Sequence, residues 1–216
     1  MAEPKTIPVF GANGQVGRSF VTQAVSEGHT LRAFVRRPES FDNPDPERVT
    51  VIQGDATDAA RVADAVEGAE VVASFLGNPL PNPKKILIMH AATDNILTAA
   101  AAQPTPPRCL MISSVGVGGS SWLIKLALQL IGGRAQFEDY ERAEARIRSE
   151  ATVPCLVIRP YALTDGTPKG AYSVIEGPTA HFARPIPRPD VARFFLDCVD
   201  DTRWDTPAGV NVGGAR

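Results

Sequence analysis

The 216-residue sequence predicts an α/β fold: a Rossmann-like, doubly wound parallel sheet in a single domain spanning residues 1–216. Two observations predict it. Short apolar runs alternate with segments of helical period, and the first run ends in Gly11-Ala12-Asn13-Gly14-Gln15-Val16-Gly17. Such alternation builds βα units, which pair strands in parallel and bury both faces of the sheet under helices. A chain of this length buries a core without covalent staples, and a hydrophobic content of 44% supplies that core.

The elements follow in order. Thr6 to Phe10 reads as the first strand, and Gln15 to Glu27 as a helix with Val16, Phe20, Val21 and Val25 on one side. Thr30 to Val35 and Val49 to Gln53 are strands, with a Pro/Asp-rich loop, Glu39 to Glu47, as the one loose segment. Asp58 to Glu67 is a helix, Glu70 to Phe75 a strand, Ile86 to Ala102 a helix and Cys109 to Ile112 a buried strand ending in Ser113 and Ser114. A turn carrying Gly116, Gly118 and Gly119 follows, then a helix from Gln136 to Arg148 and a strand from Pro154 to Ile158. Two stretches break the alternation: Trp122 to Ile131 reads as an inserted apolar helix, and Asp165 to Pro189 is rich in Gly and Pro, with only Ala171 to Ile175 extended. Both follow carboxyl ends of strands, where open α/β sheets bind ligands. Segments around 116–135 and 165–189 are therefore expected to form a substrate rim, ordinary packing insertions being the alternative.

Composition narrows the function. Twenty-two basic and 24 acidic side chains leave a net charge of −2, which gives no positive field for a nucleic acid backbone or an anionic membrane. Cys109, Cys155 and Cys198 are odd in number and lack any C-x-x-C spacing, which fits neither a disulfide framework nor a zinc site and favours a reducing, cytoplasmic setting. The longest apolar stretch, Trp122 to Ile131, is about half a bilayer span and contains Lys125 and Gln129, so neither a membrane anchor nor a signal peptide is expected. His29, His90 and His181 are too scattered to form a metal site.

The glycine run lies between strand and helix, where each glycine has a physical role. Gly11 permits the sharp turn, Gly14 lets backbone N–H groups approach a diphosphate and Gly17 lets helix and sheet close together. The start of the helix, through Asn13, Gln15 and Val16, supplies the partial positive charge that anion binding needs. After the second strand stand Val35-Arg36-Arg37-Pro38, with no carboxylate before Glu39. Two guanidiniums there favour a 2′-phosphate, hence NADP(H), over the free ribose of NAD. In Gly54-Asp55-Ala56-Thr57-Asp58, Asp55 with Ala56 is placed to accept from an adenine amino group, and Asp58 to cap the next helix.

Taken together, the glycine run, the Arg pair, the Gly-Asp-Ala-Thr-Asp turn and the Ser-Ser strand end resemble the atypical short-chain dehydrogenase/reductase superfamily, in its small NAD(P)H-binding branch. The likeness runs nearly end to end, through Ser74-Phe75-Leu76-Gly77, Ile112-Ser113-Ser114, Glu138-Asp139-Tyr140, Gly170-Ala171-Tyr172-Ser173-Val174 and Ile186 to Ala192. The resemblance implies that Ser114 is the family's strand-five serine and that Gly77 borders the nicotinamide ribose. The superfamily's Tyr-x-x-x-Lys pair is missing. Tyr140 falls near the lysine's place, Gln136 lies four residues before it and Glu144 four after. In the biliverdin/flavin reductase branch histidines lie where Tyr140 and Tyr161 stand here.

A tyrosine without a neighbouring cation keeps a pKa near 10 and donates a proton rather than accepting one. Reduction of a flat conjugated acceptor, with Ser114, Tyr140 and Tyr161 as candidate catalytic residues, is therefore the leading expectation. The alternatives are a non-redox biosynthetic enzyme on the same fold and an NAD(P)-sensing regulator. The bland readings are a strand-end hydroxyl bonding backbone at Ser114 and packing at the tyrosines. A small-molecule substrate and a monomer complete the expectations.

Overall fold

The structure, a computed structural model, describes residues 3–78, 86–118, 125, 126, 129, 133–177, 184–206 and 208–215. Its centre is an eight-stranded sheet in the order β3-β2-β1-β4-β5-β6-β10-β8. β1 (Thr6–Phe10), β2 (Thr30–Val35) and β3 (Val49–Gln53) have the bounds read from sequence, and β4 (Val71–Ser74), β5 (Arg108–Ile112) and β6 (Cys155–Pro160) differ by a residue or two at their ends. These six and β10 (Val210–Gly214) pair in parallel, and β8 (Tyr172–Glu176) closes one edge antiparallel to β10. β7 (Leu163–Thr164) and β9 (Ile186–Pro187) form a separate two-stranded ribbon.

Strand order reverses direction between β1 and β4, which opens the crevice at the carboxyl ends where such folds bind ligands. Alternate side chains face opposite ways along each strand, so the sheet has two cores. Val9, Ala73, Leu110 and Ile158 meet α1 (Gln15–Ser26) and α5 (Arg188–Asp197), while Val72, Cys109, Met111 and Val157 meet α2 (Ala59–Val66), α3 (Met89–Ala101) and α4 (Arg134–Ser149). On α1 the buried residues are Val16, Gly17, Phe20, Val21 and Ala24, one stripe at helical spacing. Asp58 caps α2 as expected, accepting from the N–H groups of Ala60 (3.1 Å) and Arg61 (3.3 Å).

Three stretches gain detail, and one reading among them is corrected. Within the stretch read as a rim, Ile186–Pro187 forms β9 and Arg188 and Pro189 the first turn of α5, and Asp190 at the start of α5 is 1% exposed. Its carboxylate accepts from the N–H groups of Lys169 (2.9 Å) and Gly170 (3.1 Å), so it pins the Gly/Pro-rich stretch to the helix. Ala171 to Ile175, read as extended, is so: β8 (Tyr172–Glu176) is the edge strand of the main sheet. The Glu39–Glu47 segment is not loose: Pro38–Ser40 is a 3₁₀ turn, and Asn43 Nδ2 donates to the Val49 carbonyl (2.9 Å). Of the apolar stretch from Trp122 to Ile131, only Lys125, Leu126 and Gln129 are described, and these are helical; the rest lies outside the described residues. No helix among the described residues is long and apolar enough to cross a membrane.

Candidate active site

At the β1/β4 switch point lies a cleft of about 310 Å³ lined by residues from four loops. From the first comes the glycine turn. Gly11 has φ +76°, and a Cβ there would lie 2.9 Å from the backbone carbonyl carbon and oxygen of Phe75. A Cβ on Gly17 would lie 2.2 Å from the Gly11 carbonyl oxygen, so only glycine lets the helix sit this close. Gly14 precedes α1 in extended conformation, no side chain caps the helix, and its first turn holds no acid. The uncapped N–H groups of Gln15, Val16 and Gly17 therefore keep their capacity for an anion. Gly11, Asn13 and Gly14 line the cleft; Gln15, Val16 and Gly17 form the helix behind it.

Arg36, Arg37, Asp55 and Ala56 line the opposite end with Phe34 and Gly54. Neither Arg36 nor Arg37 is in a salt bridge among the described residues, and both are exposed. Asp55 accepts from the N–H (2.9 Å) and hydroxyl (2.8 Å) of Thr57. These bonds hold its carboxyl below the ordinary value, against burial and with help from Arg36. Gly54 gives room to Phe34: a Cβ there would be 2.4 Å from the ring. The Phe34 ring, tilted against Phe10 at 4.9 Å, gives this end a flat apolar floor. The residues present fit a nicotinamide dinucleotide: a helix end and close-approach glycines for the diphosphate, guanidiniums for a 2′-phosphate and a carboxylate for an amino group.

The sequence reading missed the brace between the two loops. Arg18 Nε donates to the Asn13 carbonyl (3.1 Å) and Oδ1 (3.0 Å), and Nη2 donates to the Ser40 carbonyl (3.0 Å). Asn13 Nδ2 donates to Ser40 Oγ (2.7 Å), which donates to the Arg37 carbonyl (2.9 Å). Arg18 thus fixes the glycine turn relative to the arginine pair. Its position four residues after Gly14, on the first turn facing the next loop, was the available signal.

At the other end the cleft reaches Phe75, Leu76, Gly77 and Ile88. A Cβ on Gly77 would lie 3.2 Å from the Tyr140 hydroxyl oxygen. That oxygen accepts from the Asn78 N–H at 3.3 Å, and its own proton has no acceptor among the described residues. Burial pushes the Tyr140 pKa up, the Asn78 bond opposes and the Asp139 charge adds. The expected value near 10 is thus corrected upward. Asp139, 7% exposed, holds this corner together by accepting from Asn78 Nδ2 (2.9 Å) and the N–H groups of Met89 (2.9 Å) and His90 (3.2 Å). It therefore caps α3 from a neighbouring helix, which the local pattern around Asp139 does not reveal.

Ser114 and Tyr161 lie on the neighbouring strand ends. Ser114 Oγ donates to the Val115 carbonyl (3.1 Å), the local backbone bond weighed from sequence. Tyr161 follows β6, is 4% exposed and does not line the described cleft. Beneath them Glu144 and Arg159 form a buried pair, with Arg159 Nε to Oε1 and Nη2 to Oε2 both 2.7 Å. Ser113 Oγ donates to Glu144 Oε1 at 2.6 Å. Glu144, four residues after Tyr140, thus faces inward and is already engaged.

This fold and cleft define a Rossmann-type NAD(P)-binding protein. The sequence profile of the NAD(P)H-binding family matches residues 11–202, and the chain belongs to that family. An anaerobillin reductase from Escherichia coli O157:H7 superposes with a TM-score of 0.77 at 21% identity, covering 97% of each chain. A short-chain dehydrogenase/reductase from Veillonella parvula, solved in complex with NADP, gives 0.77 at 21% identity over 98% of this chain and 95% of its own. The 3 beta-hydroxysteroid dehydrogenase/Delta 5→4-isomerase of Mycobacterium tuberculosis is 39% identical over 64 residues, 30% of this chain. The match spans only 17% of that relative's length.

Proposed function

We propose that the protein is an NADPH-dependent reductase acting on a flat conjugated acceptor, a flavin, tetrapyrrole or quinone-like ring. The observation that carries this reading is the Tyr140 hydroxyl, beside Gly77, with a raised pKa and a proton that has no acceptor among the described residues. A phenol so held is a donor and a poor base, which suits addition of hydride to an acceptor more than removal of one from an alcohol. When bound, NADPH supplies the hydride. The glycine turn and α1 hold the diphosphate, Arg36 and Arg37 the 2′-phosphate, and Asp55 with Ala56 the adenine edge. Gly77 leaves room for the nicotinamide ribose. Ser114 turns its hydroxyl from the Val115 carbonyl to polarise the acceptor, and Tyr140 or Tyr161 donates a hydrogen bond or the proton, replaced from solvent. A conjugated ring delocalises the charge it receives, so the loss of the lysine is tolerated. On the same reading the protein works as a cytoplasmic monomer.

Calorimetric titration with NADPH and NADH, followed by FMN addition while nicotinamide absorbance is recorded, tests the proposal. Selective NADPH binding and consumption of its absorbance are expected. Binding with no consumption by flavin, quinone or tetrapyrrole acceptors would move the assignment to a non-redox enzyme or a dinucleotide sensor.

A further inference from the structure

The chemistry above uses none of the three cysteines, yet the sheet brings two of them together. Cys109 on β5 and Cys155 on β6 are direct partners in the parallel register. Neighbouring strands run about 4.8 Å apart, inside the roughly 4.4–6.8 Å between α-carbons that a disulfide spans. Both side chains pack into the same core, beneath α3 and α4, and the Cys109 thiol makes a long, weak bond to the Pro107 carbonyl (3.9 Å). Cys109 is fully buried and Cys155 only partly so, whereas Cys198 is buried in the core on the other face of the sheet.

We propose that Cys109 and Cys155 are a redox modification site, converted by a hydroperoxide into a cross-strand disulfide. The partly exposed Cys155 reacts first: its thiolate attacks a peroxide oxygen, an S–O bond forms, the O–O bond breaks, and the departing hydroxide (or alkoxide) takes up a proton. The Cys109 sulfur then attacks the Cys155 sulfur, forming the S–S bond as the S–O bond breaks, and the Cys109 proton leaves with the second oxygen as water. Two electrons pass from the sulfurs to the peroxide. Because the partner thiol is adjacent and water-free, ring closure competes with further oxidation of the sulfenic acid. The bridge joins the first halves of β5 and β6, remote from the cleft. It closes a covalent loop that contains Ser113, Ser114, the Gly116 turn and all of α4 with Tyr140 and Glu144. Oxidation therefore restrains one wall of the site without touching a ligand.

The full-length protein, treated with hydrogen peroxide and digested without reductant, is expected to yield a Cys109–Cys155 linked peptide. Its mass should be about 2 Da below the sum of the two thiol peptides, and dithiothreitol should reverse it. Cys155→Ser should abolish the link and Cys198→Ser should leave it. A maleimide label gives an independent readout on the wild type: Cys155 should label before peroxide and resist labelling after it until reductant is added. Sulfinic acid at Cys155 with no bridge, a bridge to Cys198, or unchanged labelling would each overturn the proposal.

Discussion

Replacing Glu144 by Ala should be among the most damaging single changes in the chain outside the glycine turn. The side chain is 1% exposed and that of its partner Arg159 is 2% exposed. Its two oxygens accept four bonds: from Ser113 Oγ and Arg159 Nε on Oε1, and from Arg159 Nη2 and Arg148 Nη1 on Oε2. Among the described residues, truncation leaves Arg159 with the Ala208 carbonyl, 2.8 Å from Nη1. Removing one partner of a buried pair costs about 3–5 kcal/mol, because the remaining charge stays desolvated. In a domain of this size each kcal/mol lowers Tm by roughly 2–4 °C, so a fall on the order of 10 °C is expected. Urea unfolding followed by circular dichroism measures the free energy, with the m-value expected to hold. Glu144→Leu combined with Arg159→Met removes both charges and should be less harmful than Glu144→Ala alone. A loss under about 1 kcal/mol for Glu144→Ala, or a double variant worse than the single, would refute the reasoning.

Further outcomes are expected at the other end of the molecule and across the pH range. Gly17→Ala pushes a methyl to 2.2 Å from the Gly11 carbonyl oxygen, a backbone atom that cannot turn aside, and should cost about 1–3 kcal/mol of stability and abolish NADPH binding by calorimetry. Arg36→Ala with Arg37→Ala should weaken NADPH binding at least tenfold (about 1.4 kcal/mol) and leave NADH binding nearly unchanged; equal loss for both nucleotides would remove the 2′-phosphate assignment. Tyr140→Phe should lower turnover with FMN more than NADPH affinity, and because burial raises the Tyr140 pKa the wild-type rate should show no loss from this group between pH 7 and 9. Glu150 is held down to about 2 by the Thr152 hydroxyl and N–H and by Arg146. Its stabilisation is full above the ordinary value of 4.5 and fades as pH falls towards 2, so Glu150→Gln should flatten that part of an acid-unfolding profile.

Local signals made most of the framework legible. The first three strands end where apolar runs meet glycine or arginine, and the glycine turn, the arginine pair and Asp55 converge on one cleft as their positions after successive strands imply. What escaped depends on contacts distant in sequence. α5 starts at Arg188-Pro189-Asp190 directly after a Gly/Pro-rich stretch, and Pro189 acts as a starter in its first turn. The buried stripe Val191, Ala192, Phe194 and Phe195 was there to be read. β10, Val210-Asn211-Val212-Gly213-Gly214, has two glycines and weak strand propensity. Pairing with β6 on one side and β8 on the other makes it a strand, buried along its whole length. The Cys109–Cys155 register was invisible for the same reason: 46 positions apart, the two thiols meet only because β5 and β6 are neighbours.

Helix α4 shows why this site can dispense with the Tyr-x-x-x-Lys pair and still be well ordered. Asp139 faces α3 and caps it, Tyr140 faces the end of the cleft at Gly77, and Glu144 faces β5 and β6 and fixes Ser113 and Arg159. Residues one and four apart on a helix point to different neighbours or to the same face a turn away. The short stretch from Asp139 to Glu144 therefore ties three parts of the cleft wall to one rigid body. A lysine at position 144 would meet the Arg159 guanidinium at the distance where Glu144 now makes two bonds, and two unpaired cations would be buried together. A lysine at this position therefore requires changing Arg159 as well, and Glu144→Lys alone should destabilise the fold before it alters the chemistry.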